Sequence, residues 1–216
     1  MIKAVFLDFD GTISDSRDIA MRALIRTFED FGYDVDEDKF VEVLGVQALK
    51  MFKMLGVSRN KIEEVRKKFH EYYIEAVIEG KISPCVSLKP LWKMKEEGMP
   101  LIVVSNSKND FLLASIKTLG LEGLFNQVYG AEKFERKEEM LMILFKQMGI
   151  LASEVIYVGD RFSDVETAKK AGCVAIAIHN KCSWSTLERV MEEKPDYVVK
   201  DFYGLRRVIE ILNKKK

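Results

Sequence analysis

The feature that most constrains this chain is the alternation of very short apolar runs with longer amphipathic stretches. Four runs carry it: Ala4–Leu7, Leu101–Val104, residues 155–158 and Val174–Ile178. They are rich in Val and Ile with little polar alternation, the pattern of strands buried on both faces. Gln127–Tyr129 and Tyr197–Val199 are weaker candidates. Between the runs, Leu141, Leu144, Phe145 and Met148 fall at i, i+3, i+4, i+7, and Leu205, Val208, Ile209 and Leu212 repeat the spacing. Residues 108–119 and 164–171 also read as helices. Ser163 and Glu166 have capping-box spacing at the start of the latter, and Gly172 reads as its stop. Strand–helix alternation of this kind predicts an α/β fold, a Rossmann-like parallel sheet flanked by helices.

One stretch breaks the rhythm. Between Asp15 and Ser83 there is no convincing strand. Met21, Leu24, Ile25 and Phe28 form one apolar stripe; Ile62, Val65, Phe69, Tyr72 and Ala76 form another, with Lys and Glu opposite. The expected organisation is a catalytic core of 1–14 and 84–216, interrupted by a separately packed helical insert, 15–83.

Composition enters mainly through what it excludes. With 216 residues, 48% hydrophobic, the chain can build a full core. Lys+Arg and Asp+Glu are both 34, so nothing in the charge balance points to nucleic acid or an anionic membrane. Lys214, Lys215 and Lys216 read as a solvated basic end. Cys85, Cys173 and Cys182 match no zinc or disulfide spacing. Cys85 and Cys173 read as small core residues, and the compartment expected is a reducing, cytoplasmic one. No run approaches the ~18 apolar residues of a membrane span, and the first apolar run stops at Asp8, too short for a signal peptide.

Three strong strands run directly into polar groups. Ala4–Leu7 leads to Asp8, Asp10, Gly11 and Thr12; Leu101–Val104 leads to Ser105 and Asn106; residues 155–158 lead to Gly159 and Asp160, with Asp164 four residues on. In a parallel sheet the carboxyl ends of the strands share one edge, where ligands bind. Asp8, Asp10, Ser105, Asp160 and Asp164 are thus expected around one crevice. Singly, each element has a plain reading as a turn or a helix cap; together, at strand ends, they point to chemistry. Four converging carboxylates repel one another, and a divalent cation removes that cost. Hard oxygen ligands without His or Cys favour Mg²⁺, which suits phosphoryl transfer.

These residues resemble the haloacid dehalogenase superfamily of aspartyl-nucleophile hydrolases. The likeness rests on Asp8-Phe9-Asp10-Gly11-Thr12 after the first strand, Ser105-Asn106 after the second, a lysine before the next strong strand, and Gly159-Asp160 with Asp164. It covers essentially the whole chain, and the insert matches the family's small α-helical cap. The resemblance implies a Mg²⁺-dependent phosphatase acting on a small phosphorylated metabolite, of the phosphoglycolate phosphatase type, as a monomer or homodimer. Asp8 would be the nucleophile, and Asp10 the acid and then the base. Asp8, Asp10 through its carbonyl, and Asp160 would hold the metal, with Asp164 supporting them. Ser105, Asn106 and Lys137 would bind the phosphoryl group, and Gly11 would shape the turn that aims it. Lys133 competes with Lys137, which is favoured because it opens the helix leading to the next strand.

Two other reactions stay open on this resemblance. A 2-haloacid dehalogenase would need no second aspartate, so Asp10 argues against it. A beta-phosphoglucomutase-like phosphotransferase would carry a linker histidine, and none stands between Ser14 and Leu44. Lys50 and Lys53 are candidates for cap side chains facing the crevice. Arg161 could reach an anionic substrate but reads first as a solvent-facing loop residue, His70 and His179 read as structural or exposed, and Trp184 as packing.

Overall fold

The computed structural model describes residues 1–214; of the basic end, Lys215 and Lys216 lie outside the described residues. Every apolar run forms a strand. In chain order these are β1 (Ala4–Leu7), the short β2 (Ser14–Asp15) and β3 (Ser83–Pro84), β4 (Leu101–Val104), β5 (Gln127–Tyr129), β6 (Val155–Gly159), β7 (Val174–Ile178) and β8 (Tyr197–Val199). Six of them make one sheet in the order β5-β4-β1-β6-β7-β8, with every pair parallel. All residues of β1, β4 and β6 are buried, which is why these runs show no polar alternation. The chain builds outward from β1 through β4 to β5, then returns to β1's other side with β6. The carboxyl ends of β1 and β6 therefore flank the point where strand order reverses.

The helices are α1 (Arg17–Asp30), α2 (Glu37–Val43), α3 (Ala48–Met54), α4 (Ile62–Ile78), α5 (Lys89–Glu96), α6 (Asn109–Thr118), α7 (Lys137–Met148), α8 (Phe162–Ala171), α9 (Leu187–Glu192) and α10 (Phe202–Lys214). Alternate strand residues face opposite layers. Val5 and Leu7 pack with Leu91 of α5, Phe111 of α6 and Leu205 of α10. Ala4 and Phe6 pack with Leu144 of α7, Val165 of α8 and Val190 of α9. The result is three layers, helix–sheet–helix.

Helix α8 begins two residues before its expected start. Its cap is made by Asp164, whose Oδ2 accepts the Arg161 N–H at 3.1 Å, so Ser163 and Glu166 are not the capping pair. Gly172 ends the helix as expected.

Helices α1 to α4 form the insert. Its two connections pair as an antiparallel ribbon, Ser14 opposite Pro84 and Asp15 opposite Ser83, so the only strands in this stretch sit at its borders. A string of aromatic contacts crosses the insert from Phe28 to Phe52, Phe69 and Tyr73. It ends on Phe111 of α6, whose ring stacks on Tyr73 with centroids 4.0 Å apart. The apolar residues of the insert are continuous with one face of the sheet. In α4 the inward stripe is Ile62, Val65, Phe69, Tyr73 and Val77. Ile62, Val65 and Phe69 are as expected, but Tyr73 and Val77 replace Tyr72 and Ala76, and Tyr72 lies outside the stripe, its hydroxyl on Asp30 and its ring under Arg26.

Candidate active site

Asp8 stands immediately after β1, its N–H bonded to the Val158 carbonyl of β6 at 2.8 Å. Lys137, the first residue of α7, is 8% exposed and aims its ammonium at three groups. Nζ lies 3.0 Å from Asp8 Oδ1, 3.0 Å from Asp164 Oδ1 and 2.9 Å from the Tyr157 hydroxyl. Lys133 is exposed in the preceding turn, so Lys137 is the lysine that reaches the strand ends. A buried lysine is costly unless paired, and here two carboxylates hold its charge. Burial opposes the charged ammonium, but Asp164 and Asp8 outweigh it and raise its affinity for the proton.

Asp160 follows β6 and is fully buried. Its Oδ1 accepts from the Thr12 hydroxyl at 3.3 Å and its Oδ2 from the Trp184 backbone N–H at 2.6 Å. The turn at Gly11 brings these loops together. Gly11 has φ of 75°, and a Cβ there would collide with the Asp160 carboxylate and the Trp184 ring. Oxygens of Asp8, Asp160 and Asp164 all lie within 4.8 Å of one another. This is an oxygen-only set suited to a hard divalent cation. Four carboxylates, Asp10 included, against Lys137 and Arg161 leave an excess of negative charge that one such cation would balance. The same crowding shows in the acids' proton affinity. Burial, opposed by Lys137 and reinforced by Asp164 and Asp10, pushes Asp8 up to about 7. Burial and the charges of Asp164 and Asp8 push Asp160 well above the usual carboxylate range.

Asp10 has a different environment. Three hydroxyls from three parts of the chain donate to it: Ser16 to Oδ1 at 2.6 Å, Tyr73 to Oδ1 at 2.9 Å and Ser107 to Oδ2 at 2.5 Å. Burial raises its pKa, and the hydroxyls of Ser107, Ser16 and Tyr73 work against that rise. Ser105 is buried at the end of β4, its Oγ accepting the Ser107 N–H at 3.2 Å. Asn106 turns its side-chain amide to the insert and donates to the Gly45 carbonyl at 3.1 Å.

All the expected strand-end residues therefore meet at one place. Asp8, Asp10, Ser105 and Asn106 line one crevice, with Asp160, Asp164 and Lys137 behind its floor. Sequence reasoning missed Ser16, Tyr73, Ser107 and Tyr157, and the Trp184 N–H that holds Asp160. Ser16, Ser107 and Tyr157 lie within a few residues of a motif, where a polar side chain was a usable signal; Tyr73 and Trp184 do not.

Three expectations are corrected. Arg161 is buried, not solvent-facing: it lines the crevice and its guanidinium donates to the Leu44 carbonyl. Lys50 and Lys53 are exposed and do not line the crevice; the insert presents Leu44, Val46, Met51 and Phe69 there, with Arg66 and His70 of α4. His70 takes the structural reading. Its Nε2 lies 2.7 Å from Asp110 Oδ2, bridging α4 to α6 one turn from Tyr73. Trp184 does more than pack, lining the crevice beside Arg161. The cysteines are all buried, Cys85 and Cys173 as expected. No helix among the described residues is long and apolar enough to cross a membrane.

Residues 5–178 match the family model described as haloacid dehalogenase-like hydrolase. The chain is 26% identical to a phosphoglycolate phosphatase of Escherichia coli (strain K12) over 205 residues, covering 82% of this chain and 81% of the relative. It shares its fold with a haloacid dehalogenase-like family hydrolase from Streptococcus pneumoniae (TM-score 0.82, 20% identity, 96% of this chain and 98% of that one). The same holds for a mutant of CbbY from Rhodobacter sphaeroides in complex with xylulose-1,5-bisphosphate (TM-score 0.83, 17% identity, 95% and 96%).

Proposed function

The chain belongs to the haloacid dehalogenase-like hydrolase family, and from that premise we propose that it is a Mg²⁺-dependent phosphatase that hydrolyses a small phosphorylated metabolite, phosphoglycolate being the first candidate. The observation that carries this reading is the unequal treatment of two carboxylates two residues apart. Asp8 is pinned by an ammonium, whereas Asp10 is surrounded by hydroxyls. Neighbouring acids in contrasting environments are how one site separates a nucleophile from an acid–base group.

In the reaction proposed, a carboxylate oxygen of Asp8 attacks phosphorus in line with the ester oxygen. The P–O ester bond breaks, and the departing oxygen takes its proton from Asp10. Asp10, now ionised, removes a proton from water. That water attacks the phosphorus of the aspartyl-phosphate, the bond to Asp8 breaks, and inorganic phosphate leaves with both carboxylates restored. Lys137 keeps Asp8 oriented and supplies positive charge where the phosphoryl oxygens would sit, with Ser105 and the Asn106 segment on the other side. Asp8, the Asp10 carbonyl and Asp160 would hold the metal, which when bound neutralises phosphoryl oxygen charge. Asp164, tied to Lys137 and the Arg161 N–H, positions the others. The insert, 15–83, serves as a cap that closes over the crevice on the hinge at Asp15–Ser16 and residues 82–84, excluding water.

The test is phosphate release from a panel of phosphorylated metabolites, phosphoglycolate and p-nitrophenyl phosphate included, for wild type and Asp8→Asn, with Mg²⁺ and with EDTA. The expected result is metal-dependent turnover that falls about 10³-fold or more in Asp8→Asn. Chloride release from a 2-haloacid, or transfer of phosphate within a sugar phosphate, with no ester hydrolysis, would overturn the proposal.

A further inference from the structure

Arg161 has a functional burden that the reaction above does not use. It stands at the start of α8, is only 7% exposed, and lines the crevice that holds Asp8, Asp10 and Ser105. A guanidinium carries five N–H donors in a fixed fork that fits a carboxylate or phosphoryl group. Here Nη1 donates to the Leu44 carbonyl, while Nε is buried with no partner. Among the described residues no carboxylate lies within 4.0 Å of it. Asp160 feels its charge, but both Asp160 oxygens are committed to Thr12 and the Trp184 N–H. A buried cation left this underused is costly unless something else completes its hydrogen bonding.

The insert is shaped around this side chain. Gly45 has φ of 85°, and a Cβ there would collide with Arg161 Nη1 and crowd the Trp184 ring. The loop thus brings two backbone carbonyls down on the floor, that of Leu44 to Arg161 and that of Gly45 to Asn106. A second unpartnered buried donor, Trp184 Nε1, belongs to the same wall. The unused groups are donors only, and the facing surface of Leu44, Val46 and Met51 offers no side-chain acceptor. Such a site accepts an anionic oxygen group on a short apolar body.

We propose that Arg161 is a specificity-determining residue that binds a second anionic group, carboxylate or phosphoryl, on the phosphate ester, with the Leu44 carbonyl occupying its fork in the absence of substrate. This rests on the phosphatase reading and names the substrate class for it.

The test is kcat/KM on two pairs of esters that differ only in the second anion. One pair is phosphoglycolate and ethyl phosphate; the other is propane-1,3-diol bisphosphate and propyl phosphate. The wild type is expected to favour the anionic member of at least one pair about tenfold or more, through KM, and the favoured pair identifies carboxylate or phosphoryl. Arg161→Met should collapse that ratio towards one, and Arg161→Lys should restore part of it. If Arg161→Met does not fold, as judged by its thermal transition, a reduced ratio in Arg161→Lys serves in its place. Equal efficiency within both pairs in the wild type, or a ratio unmoved by either substitution, would overturn the proposal while leaving the phosphatase reading intact. Absence of turnover on every ester, p-nitrophenyl phosphate included, would instead overturn the phosphatase reading.

Discussion

The floor of the crevice and its roof are built on opposite principles. On the floor every carboxylate is committed: Asp8 to Lys137, Asp164 to Lys137 and the Arg161 N–H, Asp160 to Thr12 and the Trp184 N–H, and Asp10 to three hydroxyls. The roof presents mostly apolar side chains, Leu44, Val46, Met51 and Phe69, together with Arg66 and His70, and reaches the floor through the Leu44 and Gly45 carbonyls and the Tyr73 hydroxyl. The floor is therefore rigid and electrostatically stressed, and the roof is apolar and shaped. The difference teaches that chemistry and selectivity have separate physical origins here. On the proposed reading, charges fixed by the sheet do the first, and a mostly apolar surface with a few polar groups does the second.

The largest effect should come from relieving the stress on the floor. Asp8 titrates at about 7 in the fold against 3.8 for an ordinary aspartate, mainly through burial. A carboxyl whose folded pKa is raised stabilises the protein fully below pH 4, and that contribution is lost as pH rises towards 7. Asp160 acts in the same direction. For Asp8 the change is about 4 kcal/mol. Urea unfolding of chelator-stripped protein should show stability falling between pH 4 and 7, and saturating Mg²⁺ should largely abolish the fall. Metal-free stability that rises over this window would break the comparison, because the floor would then not be under strain.

Tyr73 carries a hydroxyl from α4 of the roof to Asp10, and Tyr73→Phe measures what that crossing does. The variant keeps the ring on Phe111 and removes only the donor to Asp10 Oδ1. A hydrogen bond to a charged group contributes about 1.5–3 kcal/mol. If it aligns Asp10, kcat on ethyl phosphate should drop about tenfold, with a clearly smaller drop on p-nitrophenyl phosphate, whose leaving group needs little protonation. Equal losses on both would mean that Tyr73 acts by shaping the roof alone.

The same division explains how much was legible in the sequence. The floor's ligands stand within a few residues of buried strands, so the end of each apolar run located Asp8, Ser105 and Asp160. Lys137 was reachable because it opens an amphipathic helix. The roof follows no such rule. In α4 the apolar spacing admits Tyr72 or Tyr73 after Phe69. Only packing against Phe111 decides for Tyr73, while Tyr72 finds Asp30 and Arg26 outside. Arg161 looks like a surface arginine until Gly45, more than a hundred residues earlier, is seen folded over it. Trp184 likewise reaches Asp160 through its backbone, which carries no side-chain signal at all.

The smallest effect is the most pointed check on the roof. Lys50 and Lys53 are the obvious cations for a cap to offer an anionic substrate, and both sit exposed on α3, outside the crevice lining. Of the two only Lys53 lies in the last turn of α3, where a positive charge is favourable, so substituting both by Ala is a minor stability change. It should leave kcat/KM for phosphoglycolate within about twofold of wild type, as expected for surface changes remote from a site. Arg161→Met and the double substitution therefore test the same charge in two places. A loss above about fivefold in Lys50→Ala/Lys53→Ala, confined to esters with a second anion, would move that anion's anchor from floor to roof. The apolar description of the cap surface would fall with it.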